Sequence, residues 1–191
     1  MSTEALGKLY LVARKLDSAD VSICALLNQA SRLIPLRNLF RVVSRLGDGV
    51  VWYCIMAMLP VIGGYDGVII ALHMALTALA GLLIYKIIKT LSSRERPYVQ
   101  HSQQVACAMP PLDRYSFPSG HTLHAVSFTI VLYAYFPQML WILLPLSLLI
   151  ALSRMVLGLH YPSDVLAGAA IGTTLSLGSI GIMEVIGFPV Y

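Results

Sequence analysis

Three short polar blocks interrupt the apolar second half of the chain: Lys89-Thr-Leu-Ser-Ser-Arg-Glu-Arg96-Pro97, then Pro118-Ser119-Gly120-His121, then Ser153-Arg154 followed by His160 and Asp164. Each lies at the end of a long hydrophobic run. Gathering Lys, Arg, His, Ser and Asp at membrane ends is costly unless those residues serve a function. Cleavage of a phosphate ester needs what they offer. Fixed cations neutralise the phosphoryl oxygens, a nucleophile attacks phosphorus, and an acid protonates the departing oxygen.

Lys89 and Arg96 bracket the exit of one apolar run. A planar guanidinium grips phosphate through two bonds, and an ammonium adds a compact charge. Pro97 stiffens the chain beyond them. Taken alone, the pair reads equally well as membrane-edge cations snorkelling to headgroups. Ser119 and Gly120 open the next run, where a helix N-terminus exposes free N–H groups and a positive dipole end. Ser119 is placed to cap that helix and to donate to phosphate, Gly120 admits close backbone approach, and His121 projects from the first turn. The plainer alternative is a Ser N-cap beside an interfacial His. Arg154 closes a further run, and His160 and Asp164 stand four residues apart. If Pro162 starts a helix, Asp164 accepts from one imidazole nitrogen and leaves the other free to attack. A helix-start carboxylate paired with a loop His is the structural alternative.

The elements that position these blocks follow from composition. Of 191 residues, 58% are hydrophobic and only 12% charged, about half the charge of a soluble domain. The length suits one domain. The expected fold is all-α: a polytopic membrane bundle of about five transmembrane helices behind N-terminal interfacial helices. The spans fall at 50–62, 68–91, 120–136, 139–157 and 163–186. The first is short against the roughly 17–25 residues a span requires. The turns at 63–67 and 137–138 are so brief that their helices must be antiparallel neighbours. Counting spans then puts all three polar blocks on one membrane face. Gly168 and Gly172 form a small-xxx-small pattern suited to close helix packing inside the bundle.

Residues 1–46 read as an amphipathic, interfacial segment and 47–191 as the bundle. Residues 1–16 contain no continuous apolar region of a signal peptide. Asn28, Gln29, Ser31 and Arg32 spoil a span across 17–34. Beyond them Leu33, Leu36, Leu39, Phe40, Val43 and Leu46 recur at helical spacing, with Arg32, Arg37, Arg41 and Arg45 between. Such a helix lies with its apolar face down and its Arg side chains toward headgroups; packing against the bundle is the alternative.

The net charge of +4 is small and sits in loops and terminal segments, which speaks for membrane orientation and phosphate affinity, not nucleic acid. Cys24, Cys54 and Cys107 lack CxxC spacing, so neither a disulfide framework nor a zinc site is expected, and the two in apolar segments read as buried thiols. His124 lies one turn beyond His121 and extends the His160 and Asp164 set, yet Lys89, Arg96 and Arg154 would repel a metal ion there. No metal or cofactor is expected. His73, in mid-span, reads as a satisfied packing residue, and Asp66 and Glu184 as structural.

Together the blocks follow KxxxxxxRP, PSGH and SRxxxxxHxxxD without departure. Over roughly residues 48–175 the chain resembles the type 2 phosphatidic acid phosphatase (PAP2) superfamily. The resemblance implies an antiparallel helical bundle shared with vanadium haloperoxidases. It implies that His160 is the nucleophile that becomes phosphohistidine, Asp164 its orienting partner and His121 the leaving-group acid. Lys89, Arg96, Arg154, Ser119 and the Gly120 amide become phosphate ligands, and no metal is implied. A site at the membrane edge suits a lipid phosphate: a glycerolipid phosphate such as phosphatidic acid or phosphatidylglycerophosphate, or a polyprenyl (di)phosphate, ahead of lipid A. The expected location is the bacterial inner membrane. Lys and Arg fall in the N-terminal segment or on the catalytic face, which places that face in the cytoplasm. The rivals are an anion transporter and a non-enzymatic membrane protein. A transporter carries repeated broken helices near the midplane, whereas these charges cluster at span ends.

Overall fold

Backbone groups immersed in hydrocarbon must satisfy one another, so long apolar runs become helices. The computed structural model describes the backbone of residues 3–190 and the side chains of residues 15–190. The side chains that would make residues 1–14 amphipathic lie outside the described residues. The helices are α1 (Thr3–Asn28), α2 (Ile34–Arg45), α3 (Val51–Ser92), α4 (Pro97–Gln100), α5 (Gly120–Tyr135), α6 (Leu140–Val156) and α7 (Pro162–Val185). There is no strand among the described residues, as expected for an all-α bundle.

The long α3 is two limbs. Gly64 sits at φ +56°, ψ −130°, outside the helical region, a conformation open to glycine. Gly67 then packs so tightly on the Leu59 carbonyl that any Cβ would collide with it. Residues 51–63 and 65–92 therefore run antiparallel, with the reversal where the 63–67 turn was expected. Three stretches are long and apolar enough to cross a membrane: Ile34–Gln100, Pro137–Val156 and Pro162–Val185. The chain is a multi-pass membrane protein. The count differs from five because the first stretch holds both limbs of α3, and because α5 has only 16 residues.

Short as it is, α5 forms the centre of the bundle. Leu123, Ala125, Val131 and Leu132 on it are fully buried, and Phe128 joins Trp52, Met74 and Ile150 in the main core. α7 lies against it at backbone distance: a Cβ on Gly168 would stand 2.5 Å from the Ser119 carbonyl oxygen, and one on Gly172 2.5 Å from that of Leu123. The small-residue stripe thus serves packing within the bundle. His73 is satisfied as expected, bonded to Tyr135 Oη at 2.8 Å and Ser179 Oγ at 2.9 Å.

α1 and α2 pack on the end of the bundle that carries the polar blocks. Asn28, which spoils a span in the sequence, clasps that end instead. Its amide donates to the carbonyls of Val156 (2.9 Å) and Ala106 (3.0 Å) and accepts from the Ala106 N–H (2.8 Å). Arg41 does not reach outward but donates to the Ala108 carbonyl at 2.7 Å. Leu26, Leu33, Leu39 and Val42 remain on the outer surface. The three cysteines are free: Cys24 is buried, while Cys54, expected inside, is exposed, as is Cys107.

Candidate active site

Helix ends carry the polar blocks to one place. Lys89 lies in the last turn of α3, Arg96 just before α4, His121 in the first turn of α5, Arg154 in the last turn of α6, and His160 in the turn into α7. Backbone bonds fasten these ends: the Ser119 N–H donates to the Asp164 carbonyl at 3.0 Å, and Arg96 Nη1 to the Leu159 carbonyl at 2.7 Å. The result is a cavity of about 310 Å³ whose lining includes Lys89, Arg96, Gly120, His121, Arg154 and His160. Its other wall is apolar, with Trp52, Tyr53, Ala78, Leu79 and Leu82 from the two limbs of α3.

Two predicted site residues stand behind this lining. Ser119 is fully buried. Its hydroxyl pairs with Thr122 Oγ1 at 2.9 Å and makes no side-chain cap bond to α5. Asp164 is fully buried beneath His160, but the expected hydrogen bond is not closed: His160 Nδ1 stands 3.6 Å from Asp164 Oδ2. The carboxylate is already engaged. Oδ2 accepts from the Tyr161 N–H at 2.8 Å and Oδ1 from Arg94 Nη1 at 2.7 Å. His160 Nδ1 has no hydrogen-bond partner among the described residues, so its contact with Asp164 is the only one available to orient that edge of the ring.

The other nitrogen, Nε2, lies 3.3 Å from Arg96 Nη1. Burial, reinforced by the charges of Arg154, Arg96 and Lys89, holds the His160 imidazole well below its ordinary pKa of 6.5. The ring is therefore neutral, and with Nδ1–H toward Asp164 it presents the Nε2 lone pair to the cations.

Several side chains that contact these residues were not anticipated. Asp48, in the turn between α2 and α3, places its carboxylate in hydrogen-bonding contact with His121 Nε2. Asp113 bridges Lys89 and Arg96, each at 2.7 Å. Arg94 binds Asp164 and also Asp20 of α1 at 2.9 Å, and Ser44 of α2 accepts from Arg154 Nη1. Arg94 had a signal, its place inside the first block, and Asp48 had a weak one in the Gly47-Asp48-Gly49 break. Asp113 carried none. His124 also lines the cavity, its ring stacked on Phe128 at 6.0 Å. It shares that space with three cations, an unfavourable setting for a metal ion.

Residues 67–186 match the PAP2 superfamily, and the three blocks lie on the geometry just described. The chain belongs to the PAP2 superfamily. Among PAP2-type relatives it is similar to the undecaprenyl-diphosphatase of Sulfolobus acidocaldarius, 27% identical over 85% of this chain and 78% of the relative. It is also similar to the undecaprenyl-diphosphatase BcrC of Bacillus subtilis, 33% identical over 61% of this chain and 54% of the relative, so it spans about half that protein's length. The crystal structure of Aquifex aeolicus LpxE superposes with a TM-score of 0.75 at 26% identity, covering 85% of this chain and 95% of that one.

Proposed function

We propose that this PAP2 protein is a membrane lipid phosphatase that cleaves a phosphomonoester or diphosphate through a phosphohistidine. The observation that carries this reading is the cavity: a polar wall of Lys89, Arg96, Arg154, His121 and His160, and an apolar wall of Trp52, Tyr53, Ala78, Leu79 and Leu82. A phosphate head fits the first wall and an acyl or prenyl tail the second.

In the proposed reaction the phosphoryl oxygens lie among Lys89, Arg96, Arg154 and the free N–H groups that begin α5. His160 Nε2 donates its lone pair to phosphorus, and the bond from phosphorus to the lipid oxygen breaks. His121 gives that oxygen a proton, and the adjacent Asp48 stabilises the cation from which the proton leaves. Water then attacks the phosphohistidine, releasing inorganic phosphate and restoring the imidazole. Asp164 acts on the Nδ1 edge of His160.

The undecaprenyl-diphosphatase relatives favour a polyprenyl (di)phosphate, with glycerolipid phosphates next and lipid A after them. Residues 1–46 act as a cover and interfacial anchor for the bundle of 47–191. The protein belongs in the bacterial inner membrane with its catalytic face cytoplasmic: the turns at 63–67 and 137–138, at the far end, contain no Lys or Arg, the pattern of translocated turns. The decisive experiment measures inorganic phosphate released by purified protein from a panel of lipid phosphates in detergent micelles. Release lost in His160→Ala supports the reading. No release from any of them, with phosphate flux across proteoliposomes instead, would replace it by transport.

A further inference from the structure

Asp113 lies in the loop before α5 and reaches into the cavity that holds His121 and His160. Its Oδ2 accepts from Lys89 Nζ at 2.8 Å and from Tyr85 Oη at 3.0 Å, and its Oδ1 from Arg96 Nη2 at 2.7 Å. Two of the three cations assigned to the phosphate thus already carry an anion, bound as two phosphoryl oxygens would be. The contrast with Asp164 is informative. Asp164 is fully buried and fixed by a backbone N–H, whereas the Asp113 side chain is 32% exposed and its carboxylate is held by three side-chain donors facing the cavity. Burial opposes ionisation of Asp113, but Lys89 and Arg96 outweigh it and hold the carboxyl below its usual range. It is an anion whenever the cavity is empty.

We infer that Asp113 is an internal counter-anion, docked on Lys89 and Arg96 until the phosphate of the substrate displaces it. This rests on the reading of the cavity as a phosphate site. The competition weakens binding of every phosphate equally, free or esterified. A lipid phosphate recovers affinity through burial of its tail. Because the penalty is common to all phosphates, the preference for a lipid over the free anion comes from the tail, and the carboxylate's own effect is to lower occupancy by inorganic phosphate and help expel the product.

The test is the affinity of purified protein in detergent for orthovanadate and for inorganic phosphate, read by calorimetry and by competitive inhibition. Asp113→Asn keeps the shape and removes the charge, and should tighten both constants about tenfold or more, since it removes a competing unit charge in direct contact with both cations. Tyr85→Phe removes one donor to Asp113, leaves Lys89 and Arg96 in place, and should shift the constants the same way by a smaller factor. It keeps the inference testable if Asp113→Asn does not fold. Lys89→Gln is the reference and should weaken both anions. If Asp113→Asn and Tyr85→Phe bind vanadate no tighter than wild type while Lys89→Gln binds it worse, Asp113 is a fixed brace and the inference is overturned with the site intact. If Lys89→Gln leaves vanadate binding unchanged, the phosphate site itself has been misplaced and the inference falls with it.

Discussion

In the proposed reaction the chemistry turns on His160, and its surroundings set its protonation. A histidine whose folded pKa lies below its ordinary 6.5 gains no proton as pH falls through that value, so it keeps its nucleophilic lone pair in mild acid. Ring nitrogen shifts of His160, assigned by their loss in His160→Gln, should therefore stay those of a neutral imidazole from pH ~7.5 to ~5.5. A protonation step near 6.5 would overturn this. His160→Ala should abolish phosphate release while leaving the protein monodisperse, and Asp164→Asn should lower the rate through a misoriented ring. His121 is argued by its leaving group. A lipid alkoxide needs a proton and an aryl phenolate does not, so His121→Ala should lose ~10²–10⁴-fold more on the lipid phosphate than on an aryl phosphate. Equal losses would make His121 a binding residue. At this scale the sequence was legible where residues lie within one block: His160 and Asp164 are neighbours, although the expected bond between them stands open at 3.6 Å. It was illegible where the fold supplies the partner: Asp48 is 73 residues from His121 and Asp113 24 from Lys89, with no periodicity linking either pair.

At the scale of elements, the site depends on how α7 meets α5. The Gly168 Cα faces the Ser119 carbonyl, which belongs to backbone and cannot yield as a flexible side chain would. Gly168→Ala should separate the start of α5 from His160 and Asp164, costing about 1–3 kcal/mol of stability and a larger share of activity. Gly178, farther along the same helix, has open space where a Cβ would go, so Gly178→Ala is the control. Thermal midpoints and turnover measured side by side in detergent decide it, and equal behaviour of the two variants would contradict the packing argument. The glycine stripe and the reversal at 63–67 could be read from sequence because each is a local steric requirement. The role of α1 could not. Asn28 looks like a residue that merely forbids a span, and only the assembled bundle shows Asn28 holding the end of α6 and Asp20 holding Arg94.

For the whole molecule, antiparallel limbs place α1, the 101–119 loop and the cavity at one end and the 137–138 turn at the other. Single cysteines at Ser18 and Ser102, in a background without Cys24, Cys54 and Cys107, should resist a membrane-impermeant reagent on intact cells, while one at Gln138 should react. Labelling of Ser102 from outside would place the site on the other face of the membrane. The cations around the cavity are side chains, so chelation by EDTA should leave turnover unchanged and vanadate should inhibit it; a strict requirement for added divalent metal would contradict the site. The shortness of α5 has one more consequence. Its 16 residues rise ~24 Å, against a hydrocarbon core of ~30 Å. Were its far end level with the opposite surface, the floor of the cavity would lie several ångströms beneath the surrounding headgroups. A phosphate that ends its lipid can sink to that depth, whereas one that continues into choline, ethanolamine or glycerol must drag a hydrated group after it. Depth would then work as a sieve that leaves the enzyme unhindered in a sea of ordinary phospholipid, although almost every molecule around it carries the group it is built to hold.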